Sequence, residues 1–162
     1  MNKTDVKKQS IIEEVVNYLL KNGLAKIGIR RLAIAAGTSD RMLIYYFGTK
    51  DELIKQSLNL IAAGITDQLD DLLGSHPRPA QELLDELTII NSQEAYSPAI
   101  RLWFEIVGLA ARGKEPYLST AQVMVKEWTG WIETRLDNPA ENKADDLYAH
   151  LEGRLMLKIL EN

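Results

Sequence analysis

Seven side chains between positions 30 and 50 are of the types that hold and read a nucleic-acid duplex: Arg30, Ser39, Arg41, Met42, Ile44, Tyr45 and Lys50. The guanidinium of Arg41 offers paired donors to a guanine edge, and Met42 or Ile44 offers apolar surface to a thymine methyl. Arg30, Ser39, Tyr45 and Lys50 suit phosphate contacts, which position a protein without reading sequence. These candidate DNA-binding residues act together only if a short helix presents most of them on one face and buries its other face.

The segment spanning 28–53 has the layout for this, two short helices joined by a tight glycine turn. Ala33 is small enough for a steep helix crossing, and Gly37, four residues on, tolerates the positive φ of a turn. Leu32, Ala36, Leu43 and Tyr46 or Phe47 are expected to face inward. Ser39 stands where an N-cap belongs, with Asp40 in the dipole-favoured first turn. Asp40, Arg41, Met42, Ile44 and Tyr45 are expected outward. An ordinary helical hairpin accounts for Ala33 and Gly37 alone. It does not account for Tyr45-Tyr46-Phe47-Gly48-Thr49-Lys50-Asp51-Glu52-Leu53, where aromatics end a short helix and a lysine opens a long one.

The net charge of −4 speaks against nucleic acid until it is divided along the chain. Residues 1–55 carry ten Lys/Arg against six Asp/Glu, a balance of +4, and residues 56–162 carry nine against seventeen, a balance of −8. A basic third on an acidic body suggests one dedicated binding face. The 162 residues, 46% hydrophobic and 26% charged, suit a globular protein with one substantial core. The absence of cysteine excludes disulfides, thiolate metal sites and cysteine nucleophiles. With no apolar N-terminal run and no stretch of about 20 apolar residues, a cytoplasmic protein without membrane contact is expected.

Apolar residues recur at three- and four-residue steps in every long segment, and none alternates with period two. Helices are predicted over about 8–21, 29–36, 40–46, 51–73, 80–90, 98–112, 115–136 and 142–160, with Gly74-Ser75-His76-Pro77-Arg78-Pro79 as the clearest break. The expected fold is all-α with about eight helices. An N-terminal three-helix helix-turn-helix domain (1–50) leads into a C-terminal helical bundle (51–162).

Within that bundle, Tyr96, Trp103, Phe104, Tyr117, Met124 and Trp131 are candidates for an apolar or aromatic ligand pocket, or equally for plain core. The last two predicted helices carry the stripes Leu118, Ala121, Val125, Trp128, Ile132, Leu136 and Leu147, Leu151, Leu155, Ile159, Leu160. Gly153 permits close backbone approach. Two such helices leave apolar surface for a second copy of the chain, which makes Val125, Trp128, Ile132, Leu151, Gly153 and Leu155 candidate dimerisation residues.

No catalytic or metal-binding pattern is legible. His76 and His150 lack companion ligands, no glycine-rich phosphate loop or nucleophile elbow is present, and Asp70-Asp71 and Asp145-Asp146 point to different helix sides. No cofactor and no enzymatic activity are expected.

Leu32-Ala33-x-x-Ala36-Gly37-x-Ser39 and Leu43-x-Tyr45-Tyr46-Phe47-x-x-Lys50-x-x-Leu53 resemble the DNA-binding domain of the tetracycline-repressor (TetR) family of bacterial regulators, over about residues 10–55. The resemblance implies a homodimeric one-component repressor. Its N-terminal domain would bind a palindromic operator in double-stranded DNA. Its body would bind a small inducer and pair through the last two helices. Gly28 and Ile44 depart from the family pattern, which often has threonine and tyrosine hydroxyls there. A ligand-responsive repressor is the expected function; a helical protein–protein adaptor without DNA affinity is its rival.

Overall fold

The computed structural model describes residues 3–25 and 27–161. Eight α-helices lie among them: α1 (Lys3–Asn22), α2 (Ile29–Ala35), α3 (Asp40–Phe47), α4 (Lys50–Leu73), α5 (Ala80–Asn91), α6 (Ser97–Ala110), α7 (Tyr117–Glu133) and α8 (Ala144–Leu160). A short 3-10 turn, Glu94–Tyr96, leads into α6. The expected all-α architecture is the observed one, and no strand forms among the described residues.

Local chemistry sets the starts and stops in the first third. The chain leaves α2 through paired bonds, Gly37 N–H to the Ile34 carbonyl (3.1 Å) and Thr38 N–H to the Ala33 carbonyl (2.9 Å). This exit needs a left-handed residue, and Gly37 supplies φ +59°. The Ser39 hydroxyl then accepts from Met42 N–H at 3.3 Å, starting α3. Thr49 repeats the device one helix later, accepting from Glu52 N–H at 3.1 Å. From that cap, the 24 residues of α4 extend about 36 Å.

Two helix bounds differ from expectation at a shared place. The pattern extends α7 to about residue 136, yet the helix stops at Glu133. There the backbone pairs with the loop before α5: Arg78 N–H donates to the Arg135 carbonyl (3.0 Å), and Asp137 N–H donates to the Arg78 carbonyl (3.1 Å). Both arginines are buried. Arg78 pairs with Glu86 and donates to the Leu73 carbonyl at 2.6 Å. Arg135 pairs with Asp70 and stacks 3.9 Å from the Trp131 ring centre. These satisfied cations clamp the C-terminal ends of α4 and α7 to one loop. The start of α8 at Ala144, rather than near 142, follows from a turn closed by Asn142 N–H on the Asn138 carbonyl (3.0 Å).

The buried side chains form two clusters, and their division does not follow the expected boundary at residue 50. The first joins α1–α3 (Ile11, Val15, Leu32, Leu43) to α4 (Leu53, Leu58), to Leu102 and Ile106 of α6, and to Tyr117 and Met124 of α7. The second gathers the far half of α4 (Leu69, Leu73) with α5, Ile132 of α7 and Leu147, Leu151 and Leu155 of α8. Helix α4 is thus in both clusters, and Trp128 packs against both.

Candidate nucleic-acid interface and body cavity

Burial on α2 and α3 is one-sided. Leu32, Ala33 and Ala36 of the α2 turn and Leu43 and Phe47 of α3 are buried, because a seven- and an eight-residue helix must bury those positions against α1 and α4 to be stable at all. Four- and three-residue steps from Leu43 then leave the intervening positions outward. Arg41, Ile44 and Tyr45 are exposed and Met42 is half-buried. Tyr45 keeps 73% of its surface open. The rings of Tyr45 and Tyr46 meet edge-on at 5.2 Å, and Tyr46 lies against the core cluster, so the exposed ring stands on a packed one. Of the two alternatives for the inward aromatic, Phe47 is the fully buried one, with Lys8 Nζ 5.2 Å from its ring centre.

The expected phosphate-contacting groups flank this row. Arg30 is exposed in the first turn of α2, and Ser39 is exposed at the N-cap, where its oxygen is used by Met42 N–H. Lys50 is half-buried at the first position of α4, with Nζ 3.8 Å from Asp51. Gly28, at the N-cap of α2, offers no side-chain cap, as the missing hydroxyl implied. The sequence reading passed over Arg31, which is exposed beside Arg30. Its signal was the Arg30-Arg31 pair, which puts two cations on adjacent faces of a helix too short to bury either.

In the body, a cavity of about 80 Å³ lies where the two core clusters meet. Of the candidate pocket residues, Trp103 and Met124 line it. Tyr96, Phe104, Tyr117 and Trp131 do not. Tyr96 and Tyr117 are core residues, Phe104 packs on the second cluster, and the Trp131 indole N–H donates to Asp70 at 2.8 Å. Burial, reinforced by the charges of Asp51 and Glu105, raises the Tyr117 phenol above its ordinary range. It remains a neutral hydroxyl.

Some candidate dimerisation residues have other places within one protomer. Ile132 (0% exposed), Leu151 and Leu155 are buried in the second cluster, and Leu151, Leu155 and Trp128 line the cavity. Leu151 and Leu155 lie on the stripe of α8 that faces α5, α6 and α7, and Trp128 of α7 is half-buried. Gly153 is half-buried, and a Cβ there would meet nothing within 4 Å. Val125 is exposed on α7, and the open apolar surface of α8 is instead Met156, Leu157 and Leu160.

The lining also holds one residue the sequence reading missed. Glu152 of α8 places its carboxylate in the cavity wall, where the Trp103 indole N–H donates to it at 2.7 Å. Burial raises its carboxyl above the ordinary range, against the lowering effect of hydrogen bonds from Trp103 and Tyr148. Glu152 looked in sequence like one more solvated acid in an acidic half.

An all-α chain with a one-sided recognition helix on a buried three-helix unit is a helix-turn-helix protein. Residues 11–56 match the family described as bacterial regulatory proteins, tetR family. Among curated proteins it is similar to the HTH-type transcriptional regulator PksA of Bacillus subtilis (strain 168), 25% identical over 112 residues. That alignment covers 68% of this chain and 55% of the relative, so the chain spans little more than half the length of the protein it matches. Among solved structures it is similar to a TetR transcription regulator from Haloarcula marismortui ATCC 43049, with TM-score 0.75, 20% identity, 98% of this chain and 89% of that one. It is similar also to a transcriptional regulator of Streptomyces coelicolor A3(2), with TM-score 0.74, 20% identity, 93% of this chain and 85% of that one. These two likenesses extend the shared fold over the body as well as the N-terminal unit. The family is one of regulators, not enzymes.

Proposed function

We propose that the chain is a DNA-binding transcription regulator that acts as a homodimeric repressor on a palindromic operator and answers to a small apolar or aromatic ligand. The observation that carries the reading is the outward row Arg41, Ile44 and Tyr45 on α3, held over the fully buried Leu43. A helix with that section enters a major groove by its exposed side and loses none of its support. The dimer follows from affinity, since two half-sites about one DNA turn apart give what a single short helix does not. The apolar Met156, Leu157 and Leu160 on α8 support it.

Helix α4 supports the ligand response. Its first turn carries Lys50 beside the reading unit, and its middle supplies Leu58, Ile61, Ala62 and Ile65 to the cavity. A ligand that prefers one position of α4 shifts the reading heads by its difference in affinity for the two states.

Selection of bound sequences from random DNA, followed by salt-titrated shift assays, tests the proposal. Affinity should fall steeply with salt. Arg41→Ala should alter base preference, and Lys50→Ala should weaken all sequences alike. A chain with no DNA affinity at low salt is the helical adaptor instead.

A further inference from the structure

The cavity between the two core clusters is lined mostly by apolar side chains, with Asn91 of α5 and the α6–α8 contact of Trp103 with Glu152 as polar exceptions. At that contact Glu152 and Tyr148 of α8 stand opposite Trp103 of α6. Helices α4, α5, α6 and α7 contribute no charged side chain to the lining, and Tyr148 is its other titratable group. Among the described residues no cation pairs with Glu152; its hydrogen-bond donors are the neutral Trp103 and Tyr148. A wider depression of about 460 Å³ adjoins the cavity and shares Asn91, Ile100 and Leu155 with it, and its wall holds Glu94, Arg101 and Lys158.

A carboxylate in an apolar wall is costly to charge unless a cation arrives with the occupant. The lining also includes Trp103, Trp128 and Tyr148, aromatic side chains of the kind to which an ammonium is attracted. A purely hydrocarbon occupant would draw nothing from the carboxyl beyond its existing bonds to Trp103 and Tyr148, and an anionic one would oppose its ionisation. Resting on the ligand-responsive reading above, we infer that this cavity takes a small lipophilic amine, its ammonium on the Glu152 carboxylate and its apolar part among Ile61, Ile65 and Met124. At about 80 Å³ the space is roughly half that of a cavity known to hold benzene, so the amine is small or extends toward the mouth. Because burial favours the protonated carboxyl, docking of an ammonium displaces that proton to solvent, and amine affinity rises with pH.

Three probes of matched size separate the alternatives on the full chain: benzylamine, benzyl alcohol and ethylbenzene, followed by calorimetry and by tryptophan fluorescence. At about pH 8, benzylamine should bind at least about tenfold more tightly than either neutral probe, a difference of about 1.4 kcal/mol. Glu152→Gln should abolish that preference and leave ethylbenzene unchanged. In the unaltered chain, benzylamine affinity should rise from about pH 5 to about pH 8 while ethylbenzene stays flat. This second measurement stands even if the variant fails to fold. Ethylbenzene binding as tightly as benzylamine, or a flat benzylamine profile, overturns the amine and leaves the ligand-responsive reading in place. Binding of none of the three overturns both, and makes the cavity a packing gap.

Discussion

The carboxylate of Glu105, on α6, accepts a hydrogen bond of 2.6 Å from the backbone N–H of Leu24, in the turn between α1 and α2. It joins the reading unit to the body by one charge-assisted contact that bridges 81 positions of sequence. The turn is shaped to receive it. Gly23 has φ +67°, and a Cβ built there would run into the Glu105 carboxylate. Glu105→Ala should therefore destabilise the chain by roughly 1–2 kcal/mol and speed hydrogen exchange at the Leu24 amide, with Glu105→Gln between the two. Gly23→Ala should cost at least about 1 kcal/mol from its backbone alone. Since both changes disturb one contact, the double variant should lose less than the sum of the singles in denaturant titrations. Strict additivity would show that the contact carries no energy.

Reading and scaffolding are separable on α3 because its exposed and buried residues alternate so sharply. Tyr45→Ala and Ile44→Ala remove exposed surface and should alter stability by no more than about 0.5 kcal/mol. If the proposed function holds, both should weaken operator binding. Leu43→Ala, between them and fully buried, should cost about 2–5 kcal/mol and reduce DNA binding only through unfolding. Thermal melting beside shift assays checks this. An exposed-face variant that melts early but binds DNA normally would reverse the assignment.

Glu152 should leave a mark on stability as well as on binding. Burial raises its native carboxyl above the ordinary value of 4.5. Between that value and the raised one, the native state keeps a proton that the unfolded chain has released. Stability from this group is therefore full in acid and is lost as pH rises through the window. Glu152→Gln has no proton to lose. Its Tm relative to the parent should climb as the pH rises above the ordinary value of 4.5. A constant difference in Tm across that range would mean that the carboxyl titrates as an ordinary exposed one.

The sequence showed the reading unit more clearly than the body, for reasons visible in particular residues. Ala33, Gly37 and Ser39 act within a few positions of themselves, through a crossing, a C-terminal turn and an N-cap, so their spacing alone identified them. Leu151 and Leu155 lie on a helical stripe that fits a partner's surface or the protomer's own core equally well, and only the placement of α5 and α6 decides between these. Trp131 was drawn toward a pocket by its type, and Arg135, four residues on, drew it instead into the Asp70 clamp. Glu152 was invisible as a site residue, and so was the bond from Leu24 to Glu105, because each links elements far apart in sequence.

One buried group in α7 goes unused. Thr120 is 1% exposed, and its hydroxyl has no hydrogen-bond partner among the described residues. Ser57 of α4 is a useful contrast, for it is equally buried but donates to the Leu53 carbonyl at 2.9 Å. A buried hydroxyl without a partner costs about 1–3 kcal/mol of lost hydration, and valine has nearly the shape of threonine without that group. Thr120→Val should therefore stabilise the chain by about 1 kcal/mol, a rise in Tm of roughly 2–4 °C for a chain of this size. Ser57→Ala removes a bond already made and should leave the Tm level or lower it slightly. Calorimetric melting of the two variants beside the parent checks both. A fall in Tm for Thr120→Val would mean that the hydroxyl holds a partner in solution.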